Sequence, residues 1–104
     1  MNNEVIKAVA KKLAYKPKSL AEISSATGYD TNAVKEAVQF LRMQGCAICS
    51  GGDGYWKWNG KDDSWEHTIN RFKAQAKTLN ATLNAMKSAT RKGTVSLDDV
   101  VRNL

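Results

Sequence analysis

Ser19-Leu20-Ala21-Glu22-Ile23-Ser24-Ser25-Ala26-Thr27-Gly28-Tyr29-Asp30 is the stretch that decides the fold. Ser19 and Glu22 have the spacing of a capping box, in which the serine hydroxyl accepts from the Glu22 amide and the carboxylate reaches back to the Ser19 amide. The helix this opens is short and carries Leu20, Ile23 and Ala26 inward. Gly28 supplies the left-handed residue that closes it, and Asp30 or Thr31 caps a further helix. That second helix buries Val34, Ala37, Val38 and Leu41, flanked by Phe40, and stops at Gly45. Two helices joined by so tight a turn make a helix-turn-helix, whose second helix is the one able to enter a groove.

Working outward, Asn3 to about Ala14 places Val5, Ile6, Val9, Ala10 and Leu13 on one helical face, with Lys7, Lys11 and Lys12 elsewhere. Pro17, the only proline, ends this first helix, because the residue before a proline is pushed out of helical geometry. After Gly45 the periodicity becomes two. Cys46-Ala47-Ile48-Cys49-Ser50 and Tyr55-Trp56-Lys57-Trp58 flank Gly51-Gly52-Asp53-Gly54 and predict a β-hairpin. Trp56 and Trp58 share one face and Tyr55 and Lys57 the other, so one face packs on the helices while the other meets solvent or a ligand.

The order of helix, capped helix, tight turn, helix and two-stranded wing resembles the winged helix-turn-helix superfamily of bacterial, archaeal and phage regulators. Residues 19–41 carry the resemblance, through S-L-A-E-I-S-S-A-T-G and then V-x-x-A-V-x-x-L-x-x-x-G ending at Gly45. The resemblance covers residues 1–60, a little over half the chain. It implies that the second helix of the pair lies in the major groove of double-stranded DNA and that the wing touches a neighbouring groove or the phosphates. Transferred by position, the base-reading residues are Thr31, Asn32, Lys35 and Gln39. Asparagine and glutamine can engage adenine through paired donor and acceptor groups. Tyr29, Lys35, Arg42 and wing residue Lys57 become the phosphate contacts.

The charge map separates fold from ligand. The chain carries a formal net charge of +6, which suits an acidic partner such as nucleic acid. Lys7, Lys11, Lys12, Lys16 and Lys18 outweigh Glu4 in residues 1–18. Residues 19–60 are slightly acidic, with Lys35, Arg42 and Lys57 against Glu22, Asp30, Glu36 and Asp53. The basic excess returns in residues 61–93. It therefore lies outside the groove-reading unit, although phosphate neutralisation supplies most non-specific affinity for DNA.

Beyond a hinge at Asn59-Gly60-Lys61 the pattern is helical again. Trp65, Ile69, Phe72, Ala76, Leu79, Leu83 and Met86 alternate steps of four and three, with Thr90 next in the series. Asp62, Asp63 and Ser64 suit the start of such a helix, and Arg91, Lys92 and Gly93 its end. The expectation is one helix of about 28 residues, roughly 42 Å long at the usual rise. Its apolar seam predicts a coiled coil or helical bundle, with the named residues dimerising two copies. The alternative is an intramolecular core in which the seam folds back over helix 1 and the wing tryptophans. The flanks Thr68, Gln75, Asn80, Thr82 and Ala89 give no charge code, so parallel, antiparallel and higher bundles all remain open. Ser96 caps a short closing helix, residues 94–104 forming a third segment after 1–60 and 61–93. Its sticky face of Leu97, Val100, Val101 and Leu104 is placed to dock on the bundle.

The predicted class is thus mostly α with a small β-hairpin. The predicted function is sequence-specific duplex DNA binding by a homodimeric transcriptional regulator. A protein-interaction or assembly module on the same scaffold is one alternative. An accessory nucleic-acid-binding role in replication, with Tyr55, Trp56 and Trp58 stacking bases, is another. No catalytic set is legible, since His67 is the only histidine and no glycine-rich phosphate loop follows a strand. Neither a small-molecule substrate nor a cofactor is evident. Cys46 and Cys49 with His67 fall short of the four ligands of a structural zinc site, and read as reduced, small apolar residues. No apolar run approaches the roughly 20 residues of a membrane span, no signal peptide is visible, and a cytoplasmic protein is expected.

Overall fold

The computed structural model describes residues 2–74 and 80–104. The fold is mostly helical with one small antiparallel sheet, in the order α1 (Asn3–Lys12), α2 (Leu20–Thr27), α3 (Thr31–Met43), β1 (Ile48–Gly51), β2 (Gly54–Lys57), α4 (Ser64–Ala74), α5 (Asn80–Lys92) and α6 (Leu97–Arg102). The capping box forms as its spacing predicts: Glu22 N donates to Ser19 Oγ at 3.1 Å, and Ser19 N to Glu22 Oε1 at 3.4 Å. Gly28 closes α2 at φ +78°, and Asp30 caps α3 by accepting from Ala33 N at 2.8 Å. Ala26, expected inward, is exposed. The eight-residue helix presents Ile23 alone to full burial, and Thr27 folds its hydroxyl back onto the Ile23 carbonyl.

α1 ends at Lys12, earlier than Pro17 requires, because the following segment has another use. Ala14 O accepts from Lys57 N at 2.7 Å, and Lys18 and Tyr55 exchange both backbone hydrogen bonds at 2.9 Å. An extended run before α2 thereby lies along β2, opposite β1. The approach is close: a Cβ on Gly54, which sits at φ +117°, would stand 2.1 Å from the Lys18 carbonyl oxygen. Only glycine allows the two backbones to pair there.

Two cores lie on either side of the hairpin. The first joins α1, α2 and α3, with Ile6, Val9, Ile23, Val34, Leu41 and Ile48 at 1% exposure or less. α6 completes it. Val100 is buried there and Leu97, Val101 and Leu104 pack alongside, so the closing helix docks on the first core and not on a bundle. The second core joins Cys49 on β1, Trp65 and Ile69 on α4, and Leu83 and Met86 on α5, with Trp56 and Trp58 against it. Both faces of the hairpin therefore pack on a core, where one was expected to meet solvent or a ligand. Tyr55 packs toward the first core and the tryptophans toward the second.

The long continuous helix is also corrected. Trp65 Nε1 donates to Thr90 Oγ1 at 3.0 Å, whereas these residues on one straight helix would stand roughly 37 Å apart. The start of α4 meets the end of α5, so the two run in opposite directions. Trp65, Ile69, Leu83 and Met86 are 2%, 8%, 5% and 0% exposed within a single chain, with Phe72 half-buried beside them. The seam predicted to dimerise is internal core; its remaining members, Ala76 and Leu79, lie outside the described residues. α4 has a second task. Ser50 N donates to Thr68 Oγ1 at 3.1 Å and Ser50 O accepts from Arg71 Nη1 at 2.8 Å. These contacts satisfy the free edge of β1, which would otherwise invite pairing with another chain.

Candidate nucleic-acid interface

α3 is anchored by an apolar face and bare on the other over its first two turns. Val34, Ala37 and Val38 are at most 2% exposed, while Thr31, Asn32, Lys35 and Glu36 are all exposed. Asp30 and Gly28 fix the entry of this helix on both sides of the turn, and Tyr29 sits half-buried between them. Hydrogen-bonding side chains thus project from a rigid helix end, the geometry that groove reading needs.

The later turns of α3 are engaged within the chain. Gln39 Nε2 donates to Thr82 Oγ1 at 3.2 Å, and Thr82 is a buried residue of α5. Arg42, expected on a phosphate, is 5% exposed. Its Nε and Nη2 donate to the Ile48 carbonyl at 2.9 and 2.6 Å, and its guanidinium lies over Phe72 at 4.8 Å and near Tyr55 at 5.9 Å. Burial, assisted by the neighbouring Arg71, lowers its pKa to about 10 against the opposing influence of Tyr55 and Cys49. It remains a cation at neutral pH. Arg42 is therefore a bolt between α3, β1 and α4, and does not project freely from the α3 surface as expected.

Lys57 is placed at the base of the hairpin. Its Nζ lies 4.7 Å from the centroid of the exposed Tyr15 ring, beside the end of α1. The tip of the hairpin, Gly52 and Asp53, offers no cation of its own. Arg71 does stand beside that turn, near enough that a Cβ on Gly51 would approach its Nη1 to 3.7 Å. Nothing but the basic excess of residues 61–93 pointed to Arg71 in the sequence. The tryptophans are not free stacking platforms: Trp56 Nε1 donates to Ser64 Oγ at 3.4 Å and Trp58 Nε1 to Asp62 O at 3.0 Å, with both rings against the second core.

The cysteines divide between the cores, Cys46 in the first and Cys49 in the second. Burial pushes the Cys46 thiol up to about 12 and raises that of Cys49 despite hydrogen bonds from Ser64 and Thr68. Both stay protonated and act as small core residues, as their sequence context suggests. Among the described residues no cluster of His, Cys, Asp and Glu side chains could hold a metal ion, and no helix is long and apolar enough to cross a membrane. No family model, curated protein or solved structure matches the chain.

Proposed function

We propose that this chain is a winged helix-turn-helix protein that binds double-stranded DNA sequence-specifically, with the first two turns of α3 in the major groove. The observation that carries this reading is the division of α3: Val34, Ala37 and Val38 are buried, while Thr31, Asn32 and Lys35 stand bare beside a doubly fixed turn. The backbone pairing of Lys18 with Tyr55 supports it, since a third extended segment braces the hairpin as a wing. In this reading Asn32 and Thr31 face base edges, Lys35 and Tyr29 meet phosphates, and Gln39 and Arg42 hold the helix in place.

A second reading, a protein-interaction module, is favoured by those same internal engagements of Gln39 and Arg42. They leave Lys35 as the cation of the exposed α3 face, next to Glu36. Fluorescence anisotropy with mixed-sequence duplex at several salt concentrations separates the two. Duplex binding is expected to weaken with salt at a slope of about −0.9 per phosphate neutralised. Lys35→Glu should weaken binding to all sequences about tenfold or more and flatten the salt slope, whereas Asn32→Ala should mainly erase preference among sequences. Absence of binding at low salt, or indifference to Lys35→Glu, would leave the interaction module standing instead.

A further inference from the structure

An open cavity of about 410 Å³ lies between the start of α2, the turn of the hairpin and α4. Two guanidiniums, Arg42 and Arg71, line it, and among the described residues no carboxylate does. Neither arginine has an acidic partner among the described residues. Buried cations are ordinarily paired, because desolvating a charge is costly unless an opposite charge answers it. Arg42 departs from that rule at 5% exposure, with a second cation close enough to depress its pKa further.

The two side chains are held in place, with donors left over. Arg42 has Nε and Nη2 committed to the Ile48 carbonyl and its plane fixed over Phe72; its Nη1 makes no hydrogen bond among the described residues. Arg71 is tethered by Nη1 to Ser50 O, and its Nε and Nη2 likewise make no hydrogen bond among the described residues. Across the cavity stand Ser19 and the backbone of Gly51 and Gly52. A side chain on Gly51 would crowd Trp56 at 3.2 Å, whereas Gly52 borders open space. Rigid guanidinium forks around a space free of competing carboxylates suit a tetrahedral oxyanion, and the volume leaves room for more than the anion itself.

We infer that this cavity is a phosphate site, in which Arg42 and Arg71 grip the phosphate group of a phosphorylated small molecule or of a nucleic-acid backbone. The site goes beyond the duplex reading and does not require it. A small phosphorylated ligand would enter as an effector, bridging α4 to the hairpin. A backbone phosphate would enter as part of the duplex. Either way the anion would supply the counter-charge that Arg42 lacks among the described residues.

The test is an NMR titration of the ¹⁵N-labelled full chain with inorganic phosphate, with adenosine monophosphate, with adenosine, and with duplex DNA, at constant ionic strength. Saturable shifts of the Ser50–Gly52 amides and of the Arg42 Nε–H resonance are expected with phosphate and the monophosphate, and none with adenosine. Arg71→Gln should raise the dissociation constant about tenfold, in keeping with the loss of a charge-assisted bond, and Arg71→Lys should recover part of it. If duplex moves the same resonances, the backbone is a source of the anion; if only the monophosphate does, the source is a small ligand. No saturable shift of these resonances with any phosphate, or shifts unchanged in Arg71→Gln, overturns the site. Duplex shifts confined to Thr31–Lys35, with no saturable shift of the site resonances by phosphate or the monophosphate, would overturn it while leaving the duplex reading intact.

Discussion

Arg42→Ala is expected to destabilise the protein by about 3 kcal/mol and to lower its melting temperature by roughly 15 °C. Three losses combine. The Ile48 carbonyl would lose two charge-assisted hydrogen bonds in a buried setting, which typically costs about 1–3 kcal/mol for the group left unmade. The cation–π contact with Phe72 contributes about 1 kcal/mol at a partly desolvated position. The emptied stem adds a cavity between α3 and the hairpin. Arg42→Lys should fall between, since an ammonium cannot donate in the same bidentate way or stack as a plane. Urea and thermal denaturation followed by circular dichroism measure both. A loss below about 0.5 kcal/mol for Arg42→Ala would mean a solvated side chain, the behaviour of ordinary surface positions.

Trp65→Ala should be at least as severe, at about 3–5 kcal/mol. Trp65 is the largest fully enclosed side chain of the second core, and its indole N–H is answered by Thr90 across the α4–α5 pair. Truncation removes the contact that returns the end of α5 to the start of α4, along with the packing over Cys49 and Met86. The decisive feature is concentration. A seam buried within one chain gives wild-type and variant melting temperatures that do not depend on protein concentration. A seam shared between two copies would make both rise with concentration by mass action. Melting curves over a hundredfold range of concentration distinguish them, and a rising wild-type midpoint would contradict the internal core.

The elements governed by local rules were legible in the sequence. Ser19 with Glu22, Gly28 and Asp30 bound α2 and α3 because a capping box, a left-handed glycine and an aspartate cap act over a few residues. The elements that depend on distant partners were not. A seam of steps four and three describes one long helix or two helices folded against each other equally well. The sequence between Ala74 and Asn80 holds no proline or glycine. Arg42 looked like surface because it is charged, and its burial is created by Phe72, thirty residues later, and by Tyr55. α1 stopped short for a similar reason: a pairing with the second strand of the hairpin, invisible locally, claimed Ala14 and Lys18.

Contacts within the chain redefine the candidate interface. Of the seven residues expected to contact DNA, Gln39 and Arg42 bind within the chain and Lys57 sits by Tyr15 at the hairpin base. Tyr29, Thr31, Asn32 and Lys35 remain together around the start of α3. With the described part of the apolar seam, Trp65, Ile69, Phe72, Leu83 and Met86, packed within the chain, pairing of two copies through it is absent from the proposal. The proposal is accordingly of a single chain reading a single short site, in place of a dimer reading two half-sites.

Selection of bound sequences from a random duplex pool tests this most directly. The account predicts enrichment of one short motif without two-fold symmetry, lost in Asn32→Ala and retained when the pool is challenged at moderate salt. A pool that shows no enrichment would contradict duplex recognition by α3, and a palindromic motif would contradict the single-chain form proposed for it.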